Sequence, residues 1–132
     1  MNNEEELFNY LKEYHFPDLE KYDDKFSYSD CFTKYKEIEL KCRSKHYEHF
    51  YIEYVKYNCL VNRALKNDRI HYYICSSPRG VYAWNLLGRP LVWFERENLP
   101  VTTEFENNER ITKKVAGLLV YEAITLKENK EI

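Results

Sequence analysis

Residues 28–43, which read Y-S-D-C-F-T-K-Y-K-E-I-E-L-K-C-R, decide the fold of this chain. The second half of the stretch alternates with a period of two, which is the side-chain repeat of a β-strand. Ile38, Leu40 and Cys42 fall on one face of that strand. The other face carries the charged residues Glu37, Glu39, Lys41 and Arg43. The pattern predicts a half-buried strand over 35–43 with its charged groups on the solvent side.

The charged face of this strand brings acids and a lysine close together. Glu39 and Lys41 are two residues apart, which is roughly 6.5–7 Å along a strand. Asp30 precedes Glu39 by nine residues, a spacing that allows one tight turn and a return into an adjacent antiparallel strand. Two carboxylates at such a place can share a hard divalent cation such as Mg²⁺. A nearby lysine can orient an attacking water or stabilise charge that develops on a phosphate.

Asp30 followed by Glu39-Leu40-Lys41 resembles the D…E-x-K signature of the PD-(D/E)xK nuclease superfamily, with Ser29 where that signature has a proline. The motif follows a predicted helix and precedes a segment whose apolar positions permit a second one. This order matches the αβββαβ core of the superfamily. The resemblance therefore implies an α/β protein with a restriction-endonuclease-like fold, in which helices flank a mixed sheet.

The same resemblance implies a site and its chemistry. Asp30 and Glu39, together with the Leu40 carbonyl, would bind Mg²⁺ or, as a substitute, Mn²⁺. Lys41 would position or activate the water for in-line attack on phosphorus. The segment E-E-E-L-F-N-Y-L is similar to the first helix of Holliday junction resolvases, in which a glutamate three residues before a core leucine joins the metal site. Glu4 would then be the third acid, and its alternative role is an acid that the helix dipole favours.

Charge is distributed unevenly along a chain whose formal net charge is only −2. Residues 1–25 hold eight acids against three lysines, whereas residues 32–69 hold nine lysines and arginines against five acids. The basic part contains the motif, and a basic face suits a phosphate backbone. We expect duplex or branched DNA to contact Lys34, Lys36, Arg43, Lys45, His46 and Lys56, with Glu53 as a second-tier candidate. The alternatives are a solvated basic surface and, for Glu53 and Lys56, an ordinary i, i+3 ion pair.

Composition limits the class of protein. The 132 residues suffice for one domain with a core, and contents of 44% hydrophobic and 17% aromatic residues argue against disorder. We expect a single domain over 1–132, with a nuclease-like core over about 4–85 and an extension over about 86–132. No apolar run is long enough to span a membrane, and the N-terminus is unlike a signal peptide. We therefore expect a soluble protein of the cytoplasm, or of the host cytoplasm if it is viral.

The residue pattern also predicts the order of elements along the chain. Helices are predicted over 4–14, 52–66 and 108–116. Strands are predicted over 26–32, 35–43, 70–75, 81–85 and 91–94. Segments 44–49 and 99–106 are expected to be connections, and 120–126 is expected to be a strand or a helical turn.

Two functions from different classes follow from these observations. The first is a Mg²⁺-dependent DNA endonuclease or exonuclease of the junction-cleaving or phage type. As a homodimer, such an enzyme would contact a longer stretch of DNA than one chain can. The second is a catalytically inactive domain that binds nucleic acid or protein through exposed tyrosines and Trp84 or Trp93. For Glu39 and Lys41 the corresponding alternative is a solvated strand face with a cross-strand ion pair. The nuclease hypothesis requires the carboxylates of Asp30 and Glu39 to lie within about 5 Å of each other.

Overall fold

The structure, a computed structural model, describes residues 1, 3–23, 30–100 and 110–129, without the side chains of 98–100 and 110. The first half of the chain forms α1 (Glu4–Tyr14), β1 (Glu20–Lys21), β2 (Cys31–Phe32), β3 (Lys36–Cys42), β4 (His49–Glu53) and α2 (Tyr54–Lys66). The second half forms β5 (Ile70–Ser77), β6 (Gly80–Asn85), β7 (Trp93–Pro100), β8 (Arg110–Leu119), a 3-10 turn (Val120–Glu122) and β9 (Ile124–Glu128).

The first helix begins at an asparagine cap. Asn3 Oδ1 accepts a hydrogen bond from the Glu6 N–H at 2.8 Å, and three glutamates occupy the first turn, where the helix dipole favours acids. The apolar stripe of α1 is buried against β3 and consists of Leu7, Phe8 and Leu11. This packing holds the N-terminal end of α1, and with it Glu4, beside the charged motif.

The main sheet has six strands in the order β1-β2-β3-β5-β6-β9. β3 and β5 are parallel, with Leu40 opposite Ile74, and every other neighbouring pair in this sheet is antiparallel. Parallel neighbours need a crossover connection, and α2 lies in that connection. The motif strand β3 therefore lies inside the sheet, with β2 on one side and β5 on the other.

A second sheet, of three antiparallel strands in the order β4-β8-β7, packs with α2 against the main sheet. Phe50 and Ile52 of β4 pair with Leu118 and Ala116 of β8, and all four are buried. Trp84 of β6 is fully buried at this junction, where its indole N–H donates to the Leu119 carbonyl at 2.9 Å. Trp84 is therefore a core residue, and the prediction that it contacts a binding partner is wrong.

The two faces of β3 are both covered, which corrects the expectation of a half-buried strand. Ile38 and Leu40 belong to the core that contains α1, as predicted. The charged face is also inside the protein, since Glu37 is 0% exposed and Glu39 is 7% exposed. Burial of that face excludes the alternative of a solvated row of ion pairs, because these carboxyl groups have little access to water.

Two segments adopt a different structure from the predicted one. Residues 110–116 belong to β8 and not to a helix, while 108 and 109 lie outside the described residues. Residues 52 and 53 end β4, which begins inside the predicted connection 44–49. Both segments are strands because Phe50 and Ile52 find their apolar partners on β8. Side-chain pairing across a sheet outweighs weak local preferences of this kind.

Other predicted boundaries change less. Strand 26–32 is described only at its end, as β2, because 24–29 lie outside the described residues. Of the predicted loop 99–106, residues 99 and 100 belong to β7 and 101–106 are not described. β9 pairs with β6 and β8 pairs with β4. Strands that follow residue 85 therefore take part in both sheets, and the division into a core over about 4–85 and an extension over about 86–132 stays a prediction.

Candidate active site

The centre of the site is a contact between two carboxyl groups on neighbouring strands. The backbone N–H of Asp30, directly before β2, donates to the Ile38 carbonyl at 3.0 Å. Oδ2 of Asp30 accepts a hydrogen bond from the Leu40 N–H at 2.7 Å. The Glu39 side chain is hydrogen-bonded to that of Asp30. The two carboxyl groups are therefore neighbours, and a separation of their oxygens within about 5 Å stays a prediction.

Burial raises the pKa of both carboxyl groups of this pair. Burial, together with the charge of Asp30, raises the pKa of Glu39 well above its usual range. Burial also raises the pKa of Asp30, although the hydrogen bond from Leu40 acts in the opposite direction. Two adjacent carboxyl groups in a poorly hydrated site cannot both ionise without a compensating positive charge. Both groups therefore release their protons at a higher pH than solvated carboxyl groups do.

Two lysines flank the pair. Lys56 of α2 places its Nζ 3.9 Å from Glu39 Oε1. Burial, and then the positive charges of Lys56 and Arg43, lower the pKa of Lys41. A lowered pKa increases the neutral fraction of an amine, so Lys41 can take a proton from water more readily than a solvated lysine can.

Glu4 approaches the same site from α1. Burial and the charge of Asp30 raise the pKa of Glu4, while Lys41 and Lys56 act in the opposite direction. Glu4 therefore lies within electrostatic range of these three residues. Within the described residues, however, no three Asp, Glu, His or Cys side chains lie close enough together to hold a metal ion. The carboxyl groups of Asp30 and Glu39 are neighbours, whereas that of Glu4 lies farther away. The role of Glu4 as a metal ligand stays a prediction.

A pocket of about 390 Å³ opens beside Lys41. One wall is the end of β3 with the connection that follows it, and the other wall is the three-stranded sheet. Its lysine and arginine residues are Lys41, Arg43, Lys45, Arg96 and Lys113, and Glu53 is its one acid. Lys113 Nζ lies 2.8 Å from Glu53 Oε1, so the acid is already paired. The remaining positive charge makes the pocket attractive to phosphate groups.

Sequence reasoning missed the part of this pocket that comes from the three-stranded sheet. Tyr51, Arg96 and Lys113 come from β4, β7 and β8. Of these, Arg96 and Lys113 are far from the motif along the chain. The usable signal was the buried alternation of Ala116 and Leu118, which is typical of a strand. A strand at 110–119 would have placed Lys113 in a sheet rather than on a helix.

The residues predicted to contact DNA do not form one continuous surface. Arg43 and Lys45 line the pocket, and Lys56 contacts the carboxyl pair. Lys34 and Lys36 lie at the opposite end of β3, and Lys36 Nζ lies 5.5 Å from the centre of each of two aromatic rings. Strand alternation also places Lys36 on the face opposite Glu39 and Lys41. Lys34 and Lys36 therefore lie away from the pocket, and their contact with DNA stays a prediction.

His46 also lies outside the pocket. Its side chain is 10% exposed, and Nδ1 is 2.8 Å from Ser77 Oγ. It lines a separate depression together with Arg79 and Glu48. Burial and the charge of Arg79 lower the pKa of His46, which disfavours the cationic form that would bind a phosphate. His46 therefore lies apart from Arg43 and Lys45, and its contact with DNA stays a prediction.

Comparison with solved structures identifies the architecture. The 1.6 Å structure of Archaeoglobus fulgidus Hjc, a Holliday junction resolvase from an archaeal hyperthermophile, matches with a TM-score of 0.60 and 16% sequence identity. The match covers 93% of this chain and 88% of that chain. This chain has the restriction-endonuclease-like fold. The predicted fold class is thereby confirmed.

No protein-family model and no curated protein sequence matches the chain. Neither described helix of this restriction-endonuclease-like domain is long and apolar enough to cross a membrane.

Proposed function

We propose that the chain is a metal-dependent nuclease that hydrolyses phosphodiester bonds in DNA. The observation that carries this proposal is that the Asp30 and Glu39 carboxyl groups are neighbours, with Lys41 within electrostatic range of Asp30. The structural likeness to a Holliday junction resolvase supports DNA as the substrate and makes branched DNA the first substrate to test. A catalytically inactive binding domain would have no use for two buried carboxyl groups in contact. Pairing of two chains stays a prediction.

The donor set suits a hard divalent cation. Asp30 and Glu39 would supply carboxylate oxygens, the Leu40 carbonyl would supply a main-chain oxygen, and Glu4 would add negative charge nearby. Oxygen ligands of this kind favour Mg²⁺, with Mn²⁺ as a substitute. The raised pKa values of Asp30 and Glu39 show that burial disfavours their charged forms, which a bound cation would favour. A cation bound there would stabilise the charge that develops on the phosphate and on the leaving oxygen.

The side chains around the pair have separate tasks in this proposal. Lys41 orients the attacking water and accepts its proton, which its lowered pKa favours. Lys56 offsets the charge of Glu39 from 3.9 Å. Arg43 and Lys45 line the pocket and bind DNA phosphates there.

The direct test of the proposal is cleavage with and without metal. The protein is expected to cut a four-way junction or a supercoiled plasmid in Mg²⁺ or Mn²⁺ and to be inactive in EDTA. Asp30→Asn is expected to lower the rate by at least about a hundredfold, because the amide keeps the shape of the side chain but loses its charge. Cleavage in EDTA, or the same rate in Asp30→Asn, would contradict the proposed function, as would inactivity of the wild type in both metals.

The DNA-binding surface has its own test, which is carried out without metal. Replacing Arg43 and Lys45 together with glutamine should lower the affinity for duplex DNA. The slope of log affinity against log salt concentration should also become shallower by about two units. Binding through fewer phosphate contacts releases fewer counterions. The control pair is Lys34→Gln with Lys127→Gln, which removes the same charge away from the pocket. Equal effects of the two pairs would place the DNA elsewhere.

A further inference from the structure

The pocket beside Lys41 offers aromatic rings as well as positive charge. Tyr47 and Tyr51 both line it, and Tyr47 is 52% exposed. The Tyr47 ring meets the buried Phe50 edge-on, with centroids 6.1 Å apart, so one side of the ring is supported by the core. Cations alone would suffice for a phosphate backbone. Accessible aromatic faces next to cations are the combination that binds single-stranded nucleic acid, because bases stack on the rings.

The second ring is held in one orientation by its neighbours. The Arg96 guanidinium lies 4.5 Å from the centre of the Tyr51 ring, and His49 Nε2 lies 2.7 Å from the Tyr51 hydroxyl. Phe94 meets the same ring edge-on, with centroids 5.7 Å apart. A base can stack on a guanidinium plane as well as on an aromatic ring. A ring that is already fixed loses little conformational entropy when a base binds.

The size of the pocket matches one nucleotide and not a stretch of duplex. Its volume of about 390 Å³ lies near the lower end of the range typical of small-molecule sites, roughly 300–1,000 Å³. A base within a duplex has both faces covered by its neighbours in the stack. Only an unpaired or extruded base can present a face to Tyr47 or Tyr51. The phosphate of the same nucleotide would meet Arg43 and Lys45, which line the same pocket.

We propose that this pocket binds one unpaired nucleotide of the DNA substrate, next to the phosphate that is cut. The preferred substrate is then DNA with an unpaired base at the cleavage position, as at a flap, a fork or an opened junction. The position relative to the cut rests on the proposed nuclease function, because Lys41 belongs both to the pocket and to the candidate active site. The binding of an unpaired nucleotide does not depend on cleavage.

The test compares two labelled DNA hairpins with the same number of phosphates, in EDTA. One hairpin is blunt and the other carries part of its length as a single-stranded extension. The wild type is expected to bind the extended hairpin about tenfold more tightly, a difference typical of one base stacked on an aromatic ring. Tyr47→Ala should abolish this preference and leave binding to the blunt hairpin unchanged. Tyr47→Phe should retain the preference, because the stacking face is kept.

A spectroscopic signal separates stacking from a general loss of affinity. A fluorescent base analogue, 2-aminopurine, placed at the unpaired position next to the duplex, should be quenched by the wild type and by Tyr47→Phe but not by Tyr47→Ala. The matched control is Tyr121→Ala, which removes a tyrosine that is 82% exposed and does not line the pocket. Equal binding of the two hairpins by the wild type would overturn the proposal. So would unchanged quenching when Tyr47→Ala is combined with Tyr51→Leu.

These outcomes differ from a failure of the proposed function. A wild type that prefers the extended hairpin in EDTA but cuts no DNA in Mg²⁺ or Mn²⁺ would support the nucleotide pocket and refute the nuclease. A wild type that cuts DNA but binds both hairpins equally would support the nuclease and refute the pocket.

Discussion

Glu39→Gln is expected to reduce Mg²⁺-dependent DNA cleavage by about a thousandfold or more, and at the same time to stabilise the metal-free protein at neutral pH. The loss of activity follows because an amide cannot replace a carboxylate as a partner for a divalent cation. The gain in stability follows because Glu39 is buried against Asp30, and removing one of two acids ends their repulsion. Cleavage rates in Mg²⁺ and urea unfolding in EDTA measure the two effects.

The stability effect has a defined pH dependence. The folded-state pKa values of Asp30 and Glu39 are raised above their ordinary values of 3.8 and 4.5, so the folded state retains protons that the unfolded state releases. The contribution of the pair to stability is therefore fully present below those ordinary values and is lost as the pH rises through the raised ones. The advantage of Glu39→Gln over the wild type should be small in acid and grow toward neutral pH.

Metal binding provides the control for this first prediction. Mg²⁺ should raise the unfolding midpoint of the wild type at neutral pH, because a ligand that binds only the folded state stabilises it. Lys41→Met should lose cleavage but keep this stabilisation, since the lysine is not a ligand in the proposed site. Glu39→Gln should lose both. Full activity in Lys41→Met would remove the lysine from the mechanism, and equal stabilisation of Glu39→Gln by Mg²⁺ would remove Glu39 from the metal site.

Glu37→Ala is expected to destabilise the fold by about 3–5 kcal/mol, the largest effect on stability that we predict. Glu37 is 0% exposed, its Oε2 accepts a hydrogen bond from the Tyr22 hydroxyl at 2.6 Å, and its Oε1 lies 3.0 Å from Arg69 Nη1. The Arg69 side chain is only 17% exposed, and its Nε has no hydrogen-bond acceptor among the described residues. Removing the carboxylate would leave the guanidinium buried without its counter-charge.

Urea unfolding at neutral pH measures this loss, and a double-mutant cycle identifies its origin. Arg69→Met alone should also be destabilising, because it leaves the Glu37 carboxylate buried without the arginine. Glu37→Leu combined with Arg69→Met should lose much less than the sum of the two single changes, since no charge then remains buried. Strictly additive effects, or a loss below about 1 kcal/mol for Glu37→Ala, would show that the pair does not act as a buried ion pair.

Local pattern was sufficient to predict the motif strand and the first helix. The alternation of Ile38, Leu40 and Cys42 identifies β3, and α1 begins and ends at the predicted residues. Both predictions depend on side-chain periodicity and, for α1, on the Asn3 cap, which are properties of a short window of sequence. The expected proximity of Asp30 and Glu39 belongs to this group, because a tight turn between antiparallel neighbours leaves few other arrangements.

The tertiary structure alone decided which groups became buried and which distant residues joined the site. The charged face of β3 looks solvent-exposed in the sequence, yet α2 packs against β3, and Glu37 and Glu39 are buried. Arg96 and Lys113 reach the pocket only because β8 pairs with β4 and β7. A strand is stabilised mainly by partners that are remote in the chain, so neither its existence nor the residues it brings to a site can be found within a local window of sequence.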